Sequence, residues 1–215
     1  MSKDPLFKKR VIMCVAGVVL SGVAVSFFKS AVFGVDPFQA FMSGLDALIP
    51  IKYGTLYVLV NAVLLIFSLV FDKARIGLGT LINLFLLGYI VQFGVDILAA
   101  AIPGPSLAVR VAYLLIGVLI ACVAASMYFT ANMGVSTYDA IALIITETWH
   151  KGVFKYVRIM TDFTCVALGV ALFLLSGQEA SGLKAVIGIG TIISAFMMGP
   201  MIDWFNIHLF GPMLK

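Results

Sequence analysis

Charge is scarce in this chain, and so are the residues that usually do chemistry. Only 11% of its 215 residues are Asp, Glu, Lys or Arg, against about 25% in soluble domains. The sequence holds two histidines, His150 and His208, far apart and without a metal-ligand neighbour at either. It has no HExxH, GxSxG, phosphate-loop or paired-carboxylate pattern, the short signatures that carry metal, nucleophile or phosphate chemistry. Three cysteines, Cys14, Cys122 and Cys165, lie inside apolar runs, with no CxxC spacing. An odd number without motif spacing reads as small core residues. The expectation is a protein that is not an enzyme, with no catalytic residue, no metal and no cofactor.

What fills the chain instead is hydrocarbon. Sixty-two per cent of it is hydrophobic and the mean hydropathy is +1.14. A soluble domain of this size could not cover so much apolar surface, whereas six bilayer spans of about 20 residues would use nearly all of it. A soluble enzyme, a nucleic-acid binder and a disordered chain are thereby excluded. The lipid bilayer is the first partner expected, and nucleic acid is not one, despite the net charge of +4. The basic residues gather at Lys8, Lys9 and Arg10, at Lys73 and Arg75, and at Lys151, Lys155 and Arg158. These read as short connections held on the cytoplasmic side. The amino-terminal run from Val11 to Phe28 resembles a secretory signal, but it has a counterpart later in the chain and is expected to belong to the fold.

That counterpart belongs to an internal duplication. Aligned without gaps, residues 10–44 and 110–144 are identical at about eleven of thirty-five positions, where this composition would give about one in ten by chance. The matches include Arg10/Arg110, Gly17/Gly117, Ser26/Ser126, Ala31/Ala131, Gly34/Gly134 and Ala40/Ala140. Farther on, Ile76-Gly-Leu-Gly-Thr80 returns as Ile187-Gly-Ile-Gly-Thr191, Gly88 as Gly199, and Gln92 falls opposite Asp203. The joint is Pro103-Gly-Pro105, which is turn chemistry. We therefore divide one integral membrane domain into a first repeat, residues 1–102, and a second, residues 103–215.

Each repeat predicts a long apolar segment (11–33, 108–131), a Gly-Val turn, a short segment (36–49, 136–149) and two more apolar segments (54–71 and 76–100, then 155–175 and 184–206). The short segments decide the topology. Fourteen helical residues reach about 21 Å, less than a hydrocarbon core of about 30 Å. They also carry Asp36 and Asp46 in one copy and Asp139 and Glu147 in the other. The fold class expected is an all-α polytopic membrane protein of two tandem homologous repeats. It would have six transmembrane helices plus two short re-entrant or half helices, and the repeats would be inverted. If the short segments cross fully, there are eight spans and a parallel repeat. Counting basic residues does not choose, because both arrangements put about ten inside and four outside when the amino terminus is cytoplasmic.

Several polar residues fall where lipid would not tolerate them. Asp162 lies within the fifth long segment, with Asn61 at the matching place in the first copy. An intramembrane acid usually faces a cavity, an ion path or a partner, and Arg158, one turn earlier, is placed to neutralise it. Thr80 and Asn83 share one helix face, as do Thr191 and Ser194, behind the Gly77/Gly79 and Gly188/Gly190 pairs. They read equally as close packing or as solute contacts. The turns at Gly34 and Gly134 break the chain, Asp36 and Ser136 can cap new helices, and Pro37 fits a first turn. Matched broken segments in two repeats point to a transporter's binding site, which adds Gln39 and Asp139 to the candidates. Trp149, Trp204, Tyr113 and Tyr138 lie near segment ends, as an aromatic belt would.

These motifs together resemble the YczE/YyaS/YitT family of bacterial integral membrane proteins. The elements that carry the likeness are Gly34-Val-Asp-Pro-Phe38, Gly77-Leu-Gly-Thr-Leu-Ile-Asn83 and Gly199-Pro-Met-Ile-Asp203. Tyr89 departs from the Gly-Pro pattern in the first copy, and Thr137 replaces the proline in the second. The resemblance implies a multi-pass protein of the bacterial cytoplasmic (inner) membrane and supplies no substrate. Two functions are carried forward. One is a transporter or permease for a small polar solute, bound between the repeats near the broken helices, with Asp162 as a proton or cation site. The alternative is a non-transporting membrane protein: a substrate-capture subunit working with an energy-coupling partner, or a regulator docked through the basic stretch 151–158. A homo-oligomer is compatible with both.

Overall fold

A computed structural model describes residues 6–179 and 182–214. The described residues are helical throughout, with no strand among them. Six long helices are α1 (Phe7–Ala31), α3 (Tyr53–Phe71), α4 (Leu78–Ala101), α5 (Leu107–Ala131), α7 (Phe154–Leu175) and α9 (Ile189–Phe205). Two short ones, α2 (Pro37–Leu48) and α6 (Thr137–Leu143), follow the Gly-Val turns, and α6 runs on as a π-helical stretch, Ile144–Thr148. A single turn, α8 (Leu183–Val186), precedes α9. Among the described residues, five helices are long and apolar enough to cross a membrane: α1, α3, α4, α5 and the 156–175 part of α7. Their outer faces carry Leu, Ile, Val and Phe to the surroundings, including Val63, Ile66, Phe93, Leu115 and Phe163, as helices bathed in lipid do.

The amino-terminal helix lies at the centre of the packing, sandwiched between α4 and α5. It runs antiparallel to α5. Gly17 lies against Ala124 and Tyr128, and Gly117 against Ala24 and Phe28, so small residues let the two backbones meet. The ends of this pair are tied crosswise. Arg110 at the start of α5 donates to the carbonyls of Ala31 (2.8 Å) and Val32 (2.9 Å) at the end of α1. Arg10 at the start of α1 donates to Ala131 at the end of α5. Carbonyls in the last turn of a helix have no partner within it, and a guanidinium supplies one at a helix end that favours positive charge.

A second crossing joins the turns to the Gly-x-Gly-Thr helix starts. The carbonyl of Phe33 accepts from Gly190 N, and that of Met133 accepts from Gly79 N, both at 2.7 Å. Gly34 and Gly134 have φ of 90° and 107°, a region that strains any residue with a Cβ. A Cβ on Gly134 would lie 2.6 Å from Gly77 N, and one on Gly34 would strike Gly188 N. Both turns therefore need glycine twice over.

Each short helix ends beside the ends of long helices. Lys29, near the end of α1, stands 3.6 Å over the ring of Tyr53 at the start of α3 and pairs with Asp46 near the end of α2 at 3.7 Å. The chain that departs after α1 is back at the same level when α2 ends. On the other short segment, Glu147 pairs with Arg75, and Thr148 donates to Asp72 at 2.7 Å. The turn before α6 is bonded to that same connection, through Val135 N and the Arg75 carbonyl. The Thr148 hydroxyl, with Arg75 beside it, holds the Asp72 carboxyl below its ordinary range. Arg158 closes the basic stretch that begins at Lys151, and it lies inside α7, one turn before Asp162, as the apolar segment from 155 implies. The apolar periodicity from residue 156 onward is enough to propagate the helix over it. Cys14 and Cys122 are buried, Cys165 is half-buried, and all three are unpaired thiols.

Candidate functional site

The two short helices start beside one another. Asp36 caps α2 by accepting from Gln39 N at 3.1 Å, with Pro37 in the first turn. Ser136 caps α6 by accepting from Asp139 N at 3.1 Å. Capping leaves the first residues of each helix fixed in direction, and the rings at matching places, Phe38 and Tyr138, stack at 5.0 Å and 22°. Beside this pair is a cavity of about 170 Å³. Asp36, Ser136 and Asp139 line it from the short helices, Tyr57 and Asn61 from α3, Asn83 from α4 and Arg158 from α7, with the Phe38 and Tyr138 rings completing the wall.

Its polar groups form two chains of contacts. In the first, Asn61 accepts from the Thr137 hydroxyl and donates to the Tyr57 carbonyl at 2.9 Å, while the Tyr57 hydroxyl donates to Asn83 at 3.1 Å. In the second, Arg158 pairs with Asp139, lies 3.2 Å from Asp162, and stacks its guanidinium 4.5 Å from the Tyr138 ring centre. The Tyr138 hydroxyl donates to Asp162 at 2.6 Å, and the Ser136 hydroxyl donates to Asp139 at 2.7 Å. Arg158 is thus held from three directions, a geometry suited to a planar fork rather than a point charge. Asp36 makes no ion pair among the described residues. No group of three or more His, Cys, Asp or Glu among them could hold a metal.

Of the candidate solute contacts, Asp36, Asn61, Asn83, Ser136 and Asp139 line this cavity together. Asp162 stands behind Arg158 and fixes it. Gln39 is buried and accepts from the Tyr53 hydroxyl instead. Thr80 and Thr191 have structural partners: Thr80 accepts from Gly77 N and donates to the Val135 carbonyl at 2.6 Å, and Thr191 accepts from Gly188 N at 3.3 Å. They hold helix starts and turns, because a hydroxyl in the first turn is within reach of the free N–H groups there. Gln92 accepts from Gly54 N at 3.1 Å. The side chains of Ser194 and Asp203 lie outside the described residues. The belt expected of Tyr113 and Tyr138 is corrected: both rings are buried, whereas Trp149 and Trp204 are exposed. Tyr57 and Arg158 were not among the candidates, although Tyr57 lies one turn from Asn61 and Arg158 one turn from Asp162. That i, i+4 spacing to an intramembrane polar group is the signal that marks them.

The family of unknown function DUF6198 matches residues 8–207. The chain belongs to that family. It is similar to an uncharacterised membrane protein, YczE, of Bacillus subtilis, with 26% identity over 86% of the chain and 79% of the relative. YyaS, an uncharacterised protein of the same organism, is 24% identical over 93% of the chain and 90% of its own length. An uncharacterised protein of Haemophilus influenzae is 29% identical over 62% of the chain, a match that spans 54% of that relative. No solved structure matches. The likeness to the YczE and YyaS proteins read from the turn and helix-start motifs is thereby shown, and with the apolar helices it makes this a multi-pass membrane protein.

Proposed function

We propose that this protein is a small-solute transporter or permease of the bacterial cytoplasmic membrane, with its solute site in the cavity between the two short helices. The observation that carries the reading is the set of charged and hydrogen-bonding groups around that cavity. Asn61 lies about two turns into α3, and Asp162 about two turns into α7. In a bundle whose halves run in opposite directions, both residues fall near the middle of the bilayer. Charged groups at that depth are costly, and an assembly of Asp36, Asp139 and Arg158 around an open space, with Asp162 behind the arginine, is how a membrane protein uses them.

The topology belongs to the same reading: six crossings, two half helices, and two halves of opposite direction, with the amino terminus cytoplasmic. What supports it is the antiparallel α1–α5 pair, the crosswise Arg10 and Arg110 contacts, and Lys29 standing over Tyr53. Half-helix starts meeting at mid-depth are the arrangement by which inverted repeats build a binding site. Two rigid halves sharing a central site can rock about it, which is the simplest form of alternating access.

Two experiments test this. Single cysteines at positions 29 and 52 react with a membrane-impermeant maleimide from the same side; reaction from opposite sides removes the half-helix topology. In proteoliposomes, a panel of cations, anions and zwitterions is screened by solid-supported-membrane current. At least one gives a saturable current that Arg158→Gln and Asp139→Asn abolish. If the protein binds a solute but no current appears without an added subunit, the capture-subunit alternative replaces transport.

A further inference from the structure

Beside the polar cavity lies a second, larger space of a different character. An apolar groove of about 400 Å³ runs between the short helices, α3 and α7. Phe41, Leu64, Ile141 and Val157 line it, and Met160 at its edge is 69% exposed, on the face turned to lipid. The groove and the cavity have two lining residues in common, Phe38 and Tyr138. The stacked pair is therefore a single partition, with carboxylates and amides on one side and hydrocarbon on the other.

The charge on the polar side has a sign. Asp36 and Asp139 line the cavity and Asp162 backs it, against one guanidinium. Arg158 is already engaged by Asp139, Asp162 and the Tyr138 ring. An anionic group entering here would compete with two carboxylates for that arginine while facing Asp36, which makes no ion pair among the described residues. A cationic group would meet Asp36 as an open partner, and the Phe38 and Tyr57 rings, edge to face at 6.1 Å, present aromatic surfaces that attract it.

The geometry points to an amphiphilic organic cation as the ligand class: an ammonium head in the cavity at Asp36, an apolar body in the groove, and entry sideways from the bilayer past Met160. The inference rests on the solute site proposed above and names its substrate class. The groove side supplies affinity through apolar burial. The cavity side supplies selection, since a neutral or anionic head leaves Asp36 unanswered.

The test uses the full chain in phosphatidylglycerol nanodiscs, titrated calorimetrically with octylammonium, tetramethylammonium, octanol and octanoate, with empty discs subtracted. Octylammonium is expected to bind saturably and at least tenfold more tightly than tetramethylammonium, while octanol and octanoate show no saturable binding. Asp36→Asn keeps an equally good helix cap, so it folds, and it weakens octylammonium at least tenfold. Thr164→Trp, an exposed position on the groove, weakens octylammonium far more than tetramethylammonium. If tetramethylammonium depends on Asp36 but octylammonium gains nothing over it, or octanol binds as well, the amphiphile inference falls and the solute site stands. Preference for octanoate overturns the sign of the charge argument. If no cation depends on Asp36, the solute site falls as well.

Discussion

The helices α3 and α7 hold matching places in the two halves, yet they meet the centre of the molecule differently. Asn61 of α3 faces a neutral set, the Thr137 hydroxyl and the Tyr57 carbonyl. Asp162 of α7 faces a charged one, Arg158 with Asp139 beyond it, and Tyr138. The frame around them is the same on both sides: a glycine turn, a capped short helix, a Gly-x-Gly-Thr start. The lesson is that such a frame tolerates one-sided chemistry. Once the turns and helix starts hold the backbone, the groups two turns into the neighbouring helix are free to diverge, and at that position only α7 carries charge.

If that contrast is right, the largest effect comes from removing the charged side's cation. Arg158→Met leaves Asp139 and Asp162 facing each other unpaired, and we expect a loss of roughly 3 kcal/mol, read as reduced folded yield and a lower Tm in detergent. Asp162→Asn gives the second half the amide the first half already has; it should fold, with Tm changed by far less than in Arg158→Met. Equal losses for the two variants would mean that Asp162, and not the arginine, organises the charged side.

Next in size is the shared frame. Gly34→Ala and Gly134→Ala each place a Cβ against the opposite helix start at a positive φ, and both should cost about 2 kcal/mol or more. Near-equal losses in thermal unfolding support a frame used alike by both halves, whereas a single sensitive glycine breaks the comparison.

A smaller effect is expected from Arg110→Met, which removes two hydrogen bonds to the end of α1 and about 1–2 kcal/mol. The smallest is a pH effect at the connection between α3 and α4. Asp72 titrates below its ordinary value in the folded protein because Thr148 and Arg75 favour its ionised form. Its contribution is complete above the unfolded carboxylate range and fades as the pH falls through the lowered value. Thr148→Val should therefore lower Tm slightly at neutral pH, leave it unchanged at the acid end, and so flatten the acid side of the Tm–pH profile.

The parts legible in the sequence were those written in local rules. A glycine that stops one helix and an Asp or Ser that caps the next announced the starts of α2 and α6 within a residue or two, with a proline in the first turn of α2. Of the residues that line the cavity, Asn61 and Asn83 stood out as polar groups in apolar runs, and Asp36, Ser136 and Asp139 through the matched helix breaks. The partners were not legible. Thr80 looks like a solute contact until Val135, from the other half, takes its hydroxyl. Arg158 was anticipated beside Asp162, but its pairing with Asp139, on another helix, was not. Both partners come from distant segments, which leave no trace in spacing.

The crossed bonds between turns and helix starts also bear on how the protein is made. The Phe33 carbonyl has its donor on Gly190, so a ribosome that has already delivered α1, α2 and α3 to the membrane has not yet delivered the group that closes the first turn. Through most of synthesis that turn must be kept wet or shielded by the insertion machinery, and the first half has no finished state of its own to wait in. Release of a nascent chain stopped before Gly188 should yield a species cleared by membrane proteases, and one carried through α9 should not.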